Sequence, residues 1–222
     1  MVRVTHPTFA RSRARIRFAL ALVFAAVFAL LAGGCGSAPP IEPDHYFVLD
    51  PALSIWPAPR QVPAILLVND LAARGFLGGR EIVYRTRGRP LMVERYRTEL
   101  WAEPVSGAMV HVLVGAIRQA GLFRYVAIPA DRVRADYLLN GEVERFEHWP
   151  TDTPPRVAAT LNLSLVAESD RRSLWARQYQ GEEPVDASTP DAMAAAFNRL
   201  AARLAGEVVR DLERVQPALK AR

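Results

Sequence analysis

The chain has 222 residues with 28 basic and 23 acidic side chains, a formal charge of +5. Five arginines and no acid fall in residues 1–34, so the 188 residues that follow are formally neutral and the basic-domain argument for a nucleic-acid partner does not apply. One cysteine, Cys35, excludes an internal disulfide, and the length after it suits a single domain.

Arg11, Arg13, Arg15 and Arg17 precede fifteen uncharged residues, Phe18 to Ala32. A basic start, an apolar middle and small residues before a cut define a signal peptide, and this run is shorter than the roughly 20 residues a membrane span takes. Leu31-Ala32-Gly33-Gly34-Cys35 is read as a lipoprotein signal, with Leu31 one position further from the cysteine than usual and Cys35 the acylated residue. Ordinary secretory cleavage after Ala32-Gly33-Gly34 is the competing reading, but it leaves a free thiol in an exported chain. Residues 1–34 are thus signal and 35–45 a proline-containing tether, whose Gly36–Asp44 portion reaches roughly 28 Å at about 3.1 Å per residue. Residues 46–216 are expected to fold as one domain and 217–222 to form a tail.

Tyr46–Leu49 reads as a short strand, followed by a proline-rich loop to Pro63. Ala64–Val68 is apolar on both faces, as in a central strand. Leu71–Arg80 contains Gly75, Gly78 and Gly79 but lacks a phosphate-loop pattern, so it reads as a loop. Ile82–Thr86 and Leu91–Tyr96 flank Arg87-Gly88-Arg89-Pro90 and predict a hairpin. Pro104 at the first helical position, apolar residues from Val105 to Ala120 at helical spacing and Gly121 at the C-terminal cap predict a helix. Trp101, just ahead of it, is expected to pack against the first turns. Strands are predicted at Tyr125–Ile128, Tyr137–Phe146, Val157–Glu168 and Ser173–Tyr179, the third alternating apolar with polar. Ser188-Thr189-Pro190-Asp191 opens a second amphipathic helix, with Met193, Phe197, Leu200, Leu204, Val208, Leu212 and Val215 on one stripe. The pattern predicts an α+β fold: a mostly antiparallel sheet of about seven strands with two amphipathic helices on one face.

Catalytic chemistry is hard to place. Glu142 and Glu144 fall about 7 Å apart on one strand face, a spacing open to an inverting glycosidase pair, but any solvated strand face gives the same pattern. His6, His45, His111 and His148 lack metal-ligand spacing, His111 lying at the edge of the first helix's apolar stripe. The nucleophile pattern GxSxG is absent. No enzyme, metal or cofactor is expected beyond acyl chains on Cys35.

Tyr46-Phe47-Val48-Leu49-Asp50-Pro51 after the cysteine, Trp101-Ala102-Glu103-Pro104, Asp136-Tyr137-Leu138-Leu139-Asn140-Gly141-Glu142-Val143 and a terminal amphipathic helix occur in that order. In this the chain resembles the ABC-type transport auxiliary lipoprotein family, over nearly all of it from Cys35 to Leu212. The resemblance implies a lipid-anchored outer-membrane protein that works with a mammalian-cell-entry-type periplasmic protein and an inner-membrane ABC transporter to move lipids. Gly36 after the cysteine favours outer-membrane sorting; the inner membrane, periplasmic face, is the alternative. A docking subunit without catalysis is the expected function, and a periplasmic carrier with its own apolar cavity the alternative.

Charge is unevenly spread. Seven arginines lie between Arg74 and Arg97 against only Glu81 and Glu94, whereas Gly181–Asp191 holds four acids and no base. The expected partner-binding set is Arg85, Arg87 and Arg89 with Phe76 and Leu77 as an apolar tip, facing an acidic partner or a second copy of the chain in a homo-oligomer. Two solvated surfaces are the plain alternative. Trp101, Pro104 and Gly121 are assigned structural roles.

Overall fold

The computed structural model describes residues 42–219. Cys35, its acyl chains, the signal segment and most of the tether lie outside the described residues. Nine strands and two long helices follow: β1 (His45–Phe47), β2 (Val62–Val68), β3 (Ala72–Ala73), β4 (Glu81–Thr86), β5 (Arg89–Trp101), α1 (Val105–Ala120), β6 (Phe123–Ala127), β7 (Tyr137–Trp149), β8 (Arg156–Ala167), β9 (Ser173–Pro184) and α2 (Pro190–Val215).

The sheet is mixed, which corrects the mostly antiparallel, seven-strand expectation. Strand β7 organises it. One edge of β7 pairs antiparallel with β8 along its length, and β9 continues beyond β8. The other edge takes three parallel partners in succession: β2 at Leu66↔Tyr137, β3 at Ala72↔Glu142 and β4 at Val83↔Glu147. Strand β2 also pairs parallel with β6, β5 closes the hairpin with β4, and β1 lies parallel to β5. The antiparallel pairs join strands consecutive in sequence, where a short turn suffices; the parallel pairs need crossovers that local patterning does not reveal.

Both helices pack against the sheet and against each other. The β8 side chains Val157, Ala159, Leu161, Leu163 and Leu165 face them and are buried. Every residue of the expected α1 stripe is buried, and so are Val110 and Val114. The loop after β1 contributes to this cover, since Leu53 packs near Gly115 and the Ala58 N–H donates to the Ala120 carbonyl at 2.7 Å. Thr189 caps α2 by accepting from the Ala192 N–H at 3.2 Å, with Pro190 in the first turn. Pro104 stands one position earlier than expected, at the cap of α1 with extended ψ rather than inside the helix. Gly121 ends α1 at φ +63°, a conformation that costs other residues about 1 kcal/mol or more.

Trp101 is 3% exposed and lies edge-on to Phe146 and Phe197, at 5.8 and 5.3 Å between ring centroids. Phe146 and Phe197 stack at 4.5 Å. One cluster therefore ties β5, β7 and α2 together. At Gly141 the β8 backbone approaches so closely that a Cβ would overlap the Asn162 carbonyl oxygen.

Candidate functional site

The β4–β5 hairpin carries most of the residues singled out for partner binding. Its strands meet at Thr86↔Arg89, so Arg87 and Gly88 form the tip. Arg85, two residues before the tip, is committed: its Nε donates to Oε2 of buried Glu147 at 2.7 Å and its Nη1 to the Pro90 carbonyl at 2.8 Å. Arg87 is partly committed, with its backbone N–H donating to Thr151 Oγ1 at 2.8 Å and its guanidinium to Asp152 at 3.3 Å. Arg89 remains exposed, reaching Glu94 only at 4.0 Å. Beside it Leu91 is 93% exposed and Met92 is exposed as well.

Phe76 and Leu77 do not form the hairpin tip. They lie in a 3-10 turn, Gly75–Gly78, that leads into β4 from its opposite end. Leu77 is buried in the core, and the Arg95 guanidinium covers the Phe76 ring at 4.5 Å. Arg95 pairs with Val83, three residues or about 10 Å from Thr86 at ~3.4 Å per residue. The exposed apolar residues nearest the tip are Leu91 and Met92 on β5, which look like ordinary strand positions in the sequence.

Glu142 and Glu144 do share a face, and Asn162 holds them there. Its Nδ2 donates to both carboxylates, at 3.0 and 2.9 Å, and Gln178 adds a bond to Glu144 at 3.1 Å. Hydrogen bonds from Asn162, then from Arg74, keep the Glu142 carboxyl below the usual carboxylate range. A glycosidase pair needs one carboxyl raised to act as acid, and the contacts of Glu142 do the opposite.

His111 is exposed between buried Val110 and Val112 and pairs with Glu103 at 3.3 Å. His148 is the buried one, 8% exposed, and the sequence offered no sign of it. Tyr96 lies 2.8 Å from its Nδ1, and burial holds the imidazole pKa down to about 4. Among the described residues no group of three or more His, Cys, Asp or Glu side chains is placed to hold a metal ion, and no helix is long and apolar enough to cross a membrane.

Two cavities stand out. An open groove of about 670 Å³ runs between the Pro51–Trp56 loop and α2, with Trp56 87% exposed and Arg199, Arg203 and Arg210 along it. A smaller one of about 210 Å³ lies at the start of α2, lined by Tyr96, Glu99, His148, Val185 and Met193 among others.

The chain is similar to known structures over most of its length. Protein XCC0632 from Xanthomonas campestris, of the family DUF330, is 25% identical, with a TM-score of 0.70 over 78% of this chain and 97% of that one. An uncharacterized protein of known crystal structure is 18% identical, with a TM-score of 0.59 over 77% of this chain and 99% of that one. No curated protein matches the chain significantly. The model of the ABC-type transport auxiliary lipoprotein component matches residues 47–209, from the end of β1 to the last turns of α2, and the chain belongs to that family.

Proposed function

We propose that this protein is a non-enzymatic docking subunit of a lipid transport system, held by acyl chains on Cys35 at the periplasmic face of the outer membrane. Its partners are a mammalian-cell-entry-type protein and the ABC transporter that protein serves. The family supports the transport role. The turn end of the hairpin is the observation that carries the docking role: Arg89, Leu91 and Met92 on β5 are presented to solvent, while Arg85 and Arg87 beside them pin that end to Glu147 and Asp152. Pinning before binding lowers the ordering cost of association. The test is affinity purification from native membranes with mass spectrometry of proteins and lipids, comparing the parent with Arg89→Glu/Leu91→Ser. Loss of the transport partners in the variant supports the reading; an unchanged partner set overturns it.

The groove beside α2 favours a second reading, a carrier that holds lipid itself. Its volume falls in the range of ligand sites, Trp56 offers an apolar wall, and Arg210 makes no ion pair among the described residues. Lipid recovered in stoichiometric amount from the purified protein, and lost in Trp56→Ala, would establish that reading in place of the first.

A further inference from the structure

The first stretch of the domain leaves large apolar side chains in water. Tyr46, Val48 and Trp56 are three of the eight exposed large hydrophobic residues among those described, and all three fall within residues 42–56. The Arg80 guanidinium lies over the Tyr46 ring at 4.8 Å. Trp56 has no such cover: its indole makes no hydrogen bond, ring contact or cation contact among the described residues.

The same stretch runs along α2. The Val48 carbonyl accepts from Asn198 at 3.1 Å, Ile55 packs beside Gly206, and the Arg60 carbonyl accepts from Gln216. Between these contacts the solvent side of α2 carries Arg199, Arg203 and Arg210. Glu183 holds the first two, at 3.2 and 3.5 Å. Arg210 is exposed and forms no ion pair among the described residues. The groove between the stretch and α2 is thus lined by an uncovered indole and a free guanidinium.

The headgroup layer of a bilayer matches both groups. A Trp ring is favoured at the membrane–water interface, where its apolar body and its N–H are both accommodated, and a guanidinium pairs with phosphate. The tether keeps a bilayer within reach, since the nine residues Gly36–Asp44 between Cys35 and His45 extend to roughly 28 Å. The hairpin tip lies towards the other end of the sheet. Asp211, next to Arg210, bonds Arg177 and Tyr179, whose partners on β8 pair in turn with Gly141 and Val143 of β7. Glu142, between these two, is seven residues or about 24 Å from Trp149, the end of β7 nearest the tip.

We propose that the face formed by Trp56 and Arg210 lies on the bilayer that holds the acyl chains, with the Trp56 ring at headgroup level and Arg210 on a lipid phosphate. The domain is then oriented with the β4–β5 tip directed away from the membrane, towards a periplasmic partner. This orientation rests on acylation of Cys35 and deepens the docking reading by assigning the membrane side of the same domain.

The test uses the full-length acylated protein in vesicles of phosphatidylethanolamine and phosphatidylglycerol. Cys35 is the only cysteine and is blocked as a thioether once acylated, so an introduced cysteine is the one free thiol. A nitrobenzoxadiazole label is placed on Ser54→Cys, at the exposed edge of the groove, or on Leu91→Cys, beside the hairpin tip. Doxyl-labelled phosphatidylcholine is the quencher. The label at position 54 is expected to be quenched at least about twofold more than that at 91, because only the first sits at headgroup level. Adding Trp56→Ser/Arg210→Glu should abolish the difference while the melting curve stays that of the parent. Equal or reversed quenching, or a difference that survives in the variant, overturns the proposal. Stoichiometric lipid retained by the detergent-purified protein would assign the quenching to a bound lipid and overturn it as well. An intact mass without acyl chains overturns the anchor and this orientation together. Acylated protein that floats with the vesicles but shows equal quenching overturns the orientation alone, since co-purification of the transport partners reads the docking role separately.

Discussion

Arg85 on β4 and Glu147 on β7 meet at 2.7 Å across a parallel strand pair, with the carboxylate almost entirely removed from water. Arg145 stands 3.8 Å away and the Trp149 indole N–H donates to the same carboxylate at 3.1 Å. Removing one member of a buried pair leaves an uncompensated charge and typically costs 3–5 kcal/mol. With Arg145 and Trp149 still present, Arg85→Ala is expected to cost about 3 kcal/mol, at the lower end of that range. Denaturant unfolding checks this; a loss below about 1 kcal/mol, the value of a surface pair, would mean the contact is dispensable.

Arg89 and Leu91 make no comparable contact, so their replacement should spare the fold. Arg89→Glu/Leu91→Ser is expected to melt like the parent yet bind its partner more weakly, with a smaller dependence on salt because an exposed cation has been reversed. Melting curves and binding at low and high ionic strength separate the two effects. Equal salt slopes in parent and variant would make Arg89 ordinary solvated surface.

Trp101 contacts both Phe146 and Phe197 in the centre of the core. Trp101→Ala should lower stability by about 3–5 kcal/mol, as for other buried large-to-small changes. A variant that keeps the parent's unfolding midpoint but loses its partner would move Trp101 from core to interface.

His148 makes stability depend on pH. Its folded pKa, about 4, lies below the ordinary histidine value of 6.5, so below pH 6.5 the unfolded chain takes up a proton that the native ring refuses. Stability should therefore decline as pH falls from about 6.5 towards 4, by up to roughly 3 kcal/mol at about 1.4 kcal/mol per pKa unit. His148→Phe removes that contribution, so its unfolding free energy should fall less over the same window. Parallel slopes in the two proteins would show that carboxylates alone govern the acid limb.

Cys35→Ser is expected to abolish incorporation of labelled fatty acid and release the protein from membranes or stall its processing, since stable anchoring takes more than one acyl chain. Label retained in the variant would place the acyl group elsewhere. Membrane fractionation of the parent separates the outer from the inner membrane.

Much of the fold was legible because its signals are local. The stripe from Met193 to Leu212 and the cap at Thr189 define α2 through contacts within a few residues. The alternation of Val157–Ala167 shows which side of β8 is covered, because successive side chains point to opposite faces. The hairpins β4–β5 and β8–β9 follow from polar turns between consecutive strands. The parallel pairings of β7 with β2, β3 and β4 join strands separated by helices and loops, and no local pattern encodes them. The two-residue strand β3 exists only because β7 lies beside it.

By itself the sequence determined the lone Cys35 after an apolar run, the neutral charge of the chain beyond it, both helices and the order of motifs that marks the family, all properties of residues close together along the chain. Tertiary structure alone decided which of the arginines remain free. Arg85, Arg87 and Arg89 are alike in sequence, and only the arrival of Glu147 and Asp152 from a strand and turn some 60 residues away separates Arg85 and Arg87, which pair with them, from Arg89, whose carboxylate partner Glu94 is 4.0 Å away. The same holds for His111 and His148. Burial is set by what other segments bring to a side chain, and for these residues the deciding segments are distant.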